Sequence, residues 1–135
     1  MTSASVVFDA SALVRASVQE AEDALTWLSR TVDGEIAAHA PDLVFPELAS
    51  SLLGYVRAGD FPVEVAQERI ELVRDLPLVI RPSSELAGAA LTLALELGLS
   101  AYDACYAALA EAASATLVTA DVRLAAAYER SVLLA

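Results

Sequence analysis

The sequence has no lysine, one cysteine and one histidine, and each scarcity excludes a class of chemistry. With Cys105 alone, neither an internal disulfide nor a zinc–thiolate site can form within one chain. With His39 alone, mechanisms that need two imidazoles are excluded. The missing lysine argues against a receiver-type signalling domain, which gathers acids at strand ends but needs a lysine near its phosphoacceptor. His39 and Cys105 are therefore predicted to be structural residues.

Long apolar runs and glycine-rich loops are also missing. The longest apolar stretches are interrupted by Glu96 or Glu111, well short of the ~20 residues that a membrane helix needs. The first five residues carry no charged side chain and do not resemble a signal peptide, so we expect a cytoplasmic protein. Without a glycine loop to hold phosphates, nucleotide hydrolysis has little support.

Positive charge is scarce too, because only eight arginines balance 19 acidic residues and the net charge is −11. This sign opposes long-range attraction to nucleic acid and favours a basic protein partner. A nucleic-acid substrate would need bridging metal ions or local arginines, for which Arg15, Arg57 and Arg123 are candidates, with surface ion pairs as the alternative. The 57% hydrophobic composition and mean hydropathy of +0.55 favour a dimer or a bound partner.

What the chain does contain is an alternation of short strands and helices over residues 1–135, the length of one domain. Strands are predicted at 6–8, 35–40, 76–80, 116–119 and 131–134. Helices are predicted after Ser11, over 21–32, 43–56 and 62–75, after Ser83, after Ser100, and over 122–129. This alternation predicts an α/β fold with a parallel sheet covered by helices on both faces.

Four acids occupy comparable places in this pattern. Asp9 and Asp121 follow the first and fourth strands, whereas Glu47 and Asp103 lie in the first turns of helices. Elements that converge at the carboxyl edge of a parallel sheet would bring the four carboxylates together. Crowded carboxylates repel one another unless a cation lies among them, and Mg²⁺ or Mn²⁺ suits carboxylate oxygens. Such ions can activate water and neutralise charge on a scissile phosphate.

Small residues follow Glu47 along one face of its helix. Ser50, Ser51 and Gly54 recur at spacings of three and four, opposite the apolar face. The strip predicts either a close helix contact or one wall of a groove. At the next acid, Ser100 and Asp103 have the spacing of a capping box.

Four segments around these acids resemble the PIN-domain ribonucleases, and more narrowly the VapC-type toxins of VapBC toxin–antitoxin pairs. They are Phe8-Asp9-Ala10-Ser11-Ala12-Leu13, Pro46-Glu47-Leu48-Ala49-Ser50, Leu99-Ser100-Ala101-Tyr102-Asp103-Ala104 and Leu117-Val118-Thr119-Ala120-Asp121-Val122-Arg123-Leu124. The resemblance implies a PIN-like fold, with a five-stranded, mainly parallel sheet between helices, in a single domain over residues 1–135. It also implies a homodimer or toxin–antitoxin hetero-oligomer, inhibited by a smaller, basic antitoxin.

The resemblance further implies a metal-dependent endoribonuclease that cleaves structured RNA such as tRNA or rRNA. Asp9, Glu47, Asp103 and Asp121 would hold Mg²⁺ or Mn²⁺, and Ser11 and Thr119 would orient the acids or a metal-bound water. Two positions depart from the family pattern. Ser50 stands where many relatives carry asparagine, and Arg123 stands where some PIN domains have a further acid, which implies a weakly held second ion.

Two alternative functions remain for a chain with these acids. A haloacid-dehalogenase-type phosphatase would want a second aspartate where this chain has Ser11. The stronger alternative is a PIN-like binding module that regulates through an antitoxin and cleaves nothing. Mutual repulsion among four retained acids argues against that alternative, because an inactive scaffold gains nothing from it.

Overall fold

A five-stranded parallel sheet forms the centre of the molecule. In the computed structural model, which describes residues 4–135, the strand order is β3-β2-β1-β4-β5 and every neighbouring pair is parallel. The strands are β1 Ala4–Phe8, β2 Ile36–Pro41, β3 Leu78–Arg81, β4 Thr116–Thr119 and β5 Ser131–Leu133. The predicted five-stranded α/β fold is confirmed, and each strand lies within two residues of its predicted position.

Helices cover both faces of this sheet. They are α1 Ala10–Ser17, α2 Glu22–Val32, α3 Val44–Arg57, α4 Val63–Arg74, α5 Ala87–Leu97, α6 Ala101–Ala112 and α7 Val122–Ala127, with a short 3-10 turn at Ser83–Glu85. The chain moves from β1 towards β3 through α1 to α4, and then back across to β5 through α5 to α7. Because parallel crossovers are right-handed, the two sets of helices lie on opposite faces.

Three predicted helix starts are wrong. Asp9, with extended φ −87° and ψ 174°, caps α1 by accepting a hydrogen bond from the Ala12 N–H, so Ser11 lies inside the helix rather than at its cap. Ser83 does not cap α5, because it begins a 3-10 turn over Ser83–Glu85 and α5 follows only at Ala87 with Leu86 as its N-cap residue. Pro62 is the extended residue before α4 rather than its first helical residue.

Helix α6 links the core to the carboxyl edge of the sheet. Every residue from Ala104 to Ala110 is buried, and the helix packs across β2, β1 and β4. Its alanines allow this close approach, and Ser100 caps its N-terminus by accepting from the Asp103 N–H at 3.1 Å. The burial of α6 therefore fixes Asp103 at the edge where β1 and β4 end.

No helix in residues 4–135 combines the length and the apolar character needed to cross a bilayer. Large apolar side chains nevertheless remain on the outside. On α5, Leu91 is 62% exposed and Leu95 is 81% exposed.

Candidate functional site

A cavity of about 280 Å³ opens at the carboxyl edge of the sheet. Its lining residues are Asp9, Ala10, Ser11, Glu47, Ser50, Ser51, Asp103, Tyr106 and Asp121. The four predicted acids therefore share one cavity. Ser50 and Ser51 of α3 form part of its wall. Of the two interpretations of the small-residue strip, a close helix contact or one wall of a groove, the structure therefore favours the groove wall.

Asp9 is the most enclosed of the four acids, at 5% exposure. Its Oδ1 accepts hydrogen bonds from the Ala12 N–H at 2.9 Å and from the Ser11 hydroxyl at 2.7 Å, and its Oδ2 accepts from the Thr119 hydroxyl at 2.5 Å. Burial raises the pKa of Asp9, the three hydrogen bonds oppose that rise, and nearby Asp121 adds to it. The carboxylate is thus fixed in direction but costly to ionise without a cation.

Ser11 and Thr119 connect Asp9 to the backbone of the β4–α7 connection. The Ser11 hydroxyl accepts from the Ala120 N–H, and the Thr119 hydroxyl accepts from the Asp121 N–H, both at 2.9 Å. Each hydroxyl has one proton, which it donates to Asp9, so the 3.2 Å contact between the two hydroxyl oxygens is not a further hydrogen bond. Both hydroxyls therefore orient Asp9 and join it to the segment that carries Asp121.

Glu47 reaches the cavity from the first turn of α3 and has a partner that the sequence did not reveal. The Tyr106 hydroxyl donates to Glu47 Oε1 at 2.6 Å. Burial raises the pKa of Glu47, and the carboxylates of Asp103 and Asp9 add to the rise, whereas the bond from Tyr106 opposes it. Burial and the Glu47 contact raise the pKa of Tyr106 far above its usual range, so this hydroxyl remains a donor. The available signal was the spacing of three residues between Asp103 and Tyr106 on one helix.

Asp103 and Asp121 are both half-buried side chains of the cavity lining. Burial and the nearby Asp121 raise the pKa of Asp103, while the Ser100 side chain and, more weakly, Arg123 offset part of this rise. Asp121 caps α7, because its Oδ1 accepts from the backbone N–H groups of Arg123 and Leu124. This arrangement leaves the second carboxylate oxygen of Asp121 without a protein donor in the described residues.

The donor set fits a hard divalent cation, because the polar side chains of the cavity offer only carboxylate and hydroxyl oxygens. Among residues 4–135, no three acidic, histidine or cysteine side chains are close enough as they stand to hold a metal ion. The ion pairs found in the same residues, Arg30–Glu35 and Arg81–Glu85, do not involve the four acids. The carboxylates are thus oriented by hydroxyl and backbone donors, and their mutual repulsion is not balanced by an ion pair within residues 4–135.

Several other candidate residues lie outside the cavity lining. Arg57 is at the far end of α3, about 15 Å along the helix axis from Glu47. Arg15 lies near Asp23, whose pKa is lowered first by the Ala135 N–H and more weakly by this arginine. His39 is in the middle of β2, paired with Val7 and Val79, and burial lowers its pKa.

The chain is similar in sequence to known proteins over most of its length. The family model described as "PIN domain" matches residues 6–130 of the chain. A protein named "Ribonuclease VapC3" from Pyrobaculum aerophilum is 32% identical over 122 residues, covering 89% of this chain and 92% of its own length. "Ribonuclease VapC9" from Mycobacterium tuberculosis is 32% identical over 119 residues, covering 88% of this chain and 87% of its own.

Solved structures show the same fold. A crystal structure of a Pyrobaculum aerophilum protein has a TM-score of 0.73 and 25% identity, and the match covers 97% of this chain and 91% of that one. VapBC2 from Rickettsia felis, bound to a DNA fragment from its promoter, has a TM-score of 0.67 and 18% identity, with 96% and 97% coverage.

Proposed function

Because the chain belongs to the PIN domain family, and within it to the VapC ribonucleases, we propose that it is a Mg²⁺- or Mn²⁺-dependent endoribonuclease. Its biological role is that of the toxin in a type II toxin–antitoxin pair, and its substrate is structured RNA, tRNA or rRNA. The proposed domain is a single PIN domain over residues 1–135. Asp9, Glu47, Asp103 and Asp121 are the proposed catalytic and metal-binding residues, supported by Ser11 and Thr119.

The observation that carries this proposal is the convergence of four carboxylates from four separate elements on one cavity. The pKa values of Asp9, Glu47 and Asp103 are all raised, by burial first and then by one another or by Asp121. Such a group destabilises the metal-free fold, so a structural role alone does not account for it.

A divalent cation would be held by these four carboxylates and, when bound, would supply an activated water and neutralise charge on the phosphate. The chain itself orients the acids. Ser11 and Thr119 hold Asp9, and Tyr106 holds Glu47 through one oxygen. Asp121 keeps one oxygen on the α7 backbone, and Arg123 provides the positive charge that acts on Asp103.

The partner that we propose is a basic antitoxin, because the chain carries a net charge of −11. The solved VapBC2 assembly and a solved toxin–antitoxin complex from Klebsiella pneumoniae have this fold, which supports the proposal by likeness. The exposed leucines of α5 support a homodimer or a toxin–antitoxin hetero-oligomer. We place the activity in the cytoplasm.

The test uses purified, partner-free protein with a mixed tRNA and ribosomal RNA pool, with and without Mg²⁺ or Mn²⁺. We expect discrete fragments that require both the metal and Asp103. Asp103→Asn is the inactive variant, and Asp75→Asn is the matched control, because Asp75 is an exposed residue at the end of α4. Intact RNA from protein that binds Mg²⁺ would favour the binding-module alternative, and intact RNA without metal binding would refute the proposed enzyme.

A further inference from the structure

A second cavity, of about 450 Å³, lies beside the acidic one at the same edge of the sheet. Its walls include Leu43 before α3, Ala87 and Ala90 of α5, and Ala101 and Tyr102 of α6. Ser83 and Ser84, which follow β3, also line it. We call this cavity the Tyr102 pocket.

The Tyr102 pocket and the acidic cavity are lined by neighbouring residues of the same two helices. Tyr102 lines the first and the next residue, Asp103, lines the second. On the other side, Leu43 and Glu47 are four residues apart, which places them one turn apart along the start of α3. A flexible polymer that crosses the acids can therefore also reach the neighbouring Tyr102 pocket.

The two cavities differ in the charge of their linings. Among residues 4–135, no charged side chain lines the Tyr102 pocket, whereas four carboxylates line its neighbour. Tyr102 is 71% exposed and is the one aromatic side chain among the large exposed hydrophobic residues of the same part of the chain. The Ser83 and Ser84 hydroxyls form no hydrogen bond with the described protein residues and can bond the edge of a ligand. An uncharged, planar group with polar edges fits this lining.

We propose that the Tyr102 pocket binds a nucleobase of the RNA strand, adjacent to the phosphate that is cleaved, with Tyr102 stacking on the base. This inference rests on the proposed function for the identity of the polymer. Single-stranded RNA is bound in general by stacking splayed bases on aromatic side chains, and that contact adds affinity without needing positive charge. The contact matters here because the acidic protein has little charge with which to attract RNA.

The experiment measures binding rather than cleavage, so that its failure is separable from failure of the nuclease assay. Fluorescently labelled hexanucleotides of adenosine, cytidine and uridine, and an abasic ribose–phosphate hexamer of equal charge, are titrated in Mg²⁺ against protein carrying Glu47→Gln. We expect Tyr102→Ala to weaken binding of at least one base-containing hexamer by about tenfold, a typical loss for one stacked base. Tyr102→Phe should bind normally, and the abasic hexamer should not respond to either change.

Val122→Ala is the matched control, because Val122 is 66% exposed and follows Asp121 as closely as Tyr102 precedes Asp103. The inference is overturned if no hexamer binds, if Tyr102→Ala binds the base-containing hexamers like its parent, or if the abasic hexamer loses as much affinity as they do. Loss of binding to a basic protein partner alone, with RNA binding intact, would assign the pocket to that partner instead.

Discussion

At the scale of single residues, Tyr106 has the clearest testable role, because its hydroxyl donates to Glu47. Tyr106→Phe keeps the buried ring but leaves Glu47 without a donor. We expect affinity for Mg²⁺ to fall by about tenfold, the usual size of effect when the partner of a metal-binding side chain is removed. Calorimetric titration with Mg²⁺ and Mn²⁺ checks this directly.

Tyr128→Phe provides the control for Tyr106→Phe. Tyr128 is also buried, at 6% exposure, but its hydroxyl forms no hydrogen bond within the described residues. Its removal should leave metal affinity unchanged. Equal metal affinity in Tyr106→Phe and the parent protein would show that Glu47 does not need this donor.

Asp9 contributes to the pH dependence of stability, as do Glu47 and Asp103, whose pKa values are also raised. The folded protein holds a proton on the Asp9 carboxyl more tightly than the unfolded chain does, because burial raises its pKa above the ordinary 3.8. The free energy of unfolding therefore falls as pH rises from about 3.8 through the raised value, and that stability is not regained at higher pH. We expect metal-free Asp9→Asn to melt above the parent at pH 7.5, and this difference to shrink towards pH 4.

At pH 7.5, Mg²⁺ should reverse the order of the two melting temperatures, so that the parent protein melts above Asp9→Asn. The cation offsets the repulsion in the parent and raises its melting temperature, whereas Asp9→Asn should gain little. Scanning calorimetry of both proteins, in chelator and in Mg²⁺, measures the four melting temperatures. A parent protein that melts higher than Asp9→Asn in chelator at pH 7.5 would contradict the assigned cost of ionising Asp9.

These residues also show how far sequence reasoning reaches. The four acids could be predicted because each follows a strand or opens a helix, and the topology of a parallel sheet brings such positions together. Tyr106 could not be predicted in the same way. Its bond to Glu47 joins residues 59 positions apart and depends on how α3 and α6 are placed on the sheet. Local sequence patterns do not indicate how two helices are placed relative to each other.

At the scale of elements, substitutions at two glycines distinguish the effect of backbone conformation on stability from the effect of packing. A Cβ added at Gly54 or at Gly98 would meet no atom within 4 Å, so neither substitution is opposed by contacts. Gly54 lies inside α3, whereas Gly98 ends α5 with φ of +68°, in the left-handed region. We expect Gly54→Ala to raise the free energy of unfolding by about 0.5–1 kcal/mol and Gly98→Ala to lower it by about 1 kcal/mol.

Urea denaturation of the two glycine variants checks this difference in sign. Activity should be retained in Gly54→Ala, because Gly54 follows the serines of the cavity wall but does not line the cavity itself. If both substitutions lower the free energy of unfolding equally, the left-handed backbone conformation of Gly98 does not determine the effect of substitution there.

Helix boundaries were predicted least well where side chains compete for the same backbone groups. Asp9 rather than Ser11 caps α1, since the carboxylate at the end of β1 reaches the Ala12 N–H first. At Ser83, the backbone N–H donates to the Asp42 carboxylate 41 residues away, and a 3-10 turn over Ser83–Glu85 precedes α5, which begins at Ala87. Strand positions were more accurate, because a buried apolar run between turn residues has few alternative placements.

At the scale of the whole molecule, the net charge of −11 determines how RNA binding responds to salt. A protein that binds RNA through many lysine and arginine contacts loses affinity steeply as salt rises, because each contact releases counterions. Here the arginines are few and the long-range field repels RNA, so added salt screens repulsion as well as attraction. At saturating Mg²⁺, we expect KM to change by less than about twofold between 50 and 200 mM KCl, against the thousandfold or greater change typical of basic proteins.

Initial rates on one defined RNA fragment across this range of KCl, with Mg²⁺ held constant, measure that response. Arg123→Ala tests whether the arginine nearest Asp103 contributes a phosphate contact, since removing such a contact would weaken binding and flatten any remaining salt dependence. A steep rise of KM with KCl in the parent protein, abolished by Arg123→Ala, would mean that this local arginine outweighs the field of the whole molecule. A flat response in both proteins would instead leave the bound cation and uncharged contacts, such as the Tyr102 pocket, as the main sources of affinity.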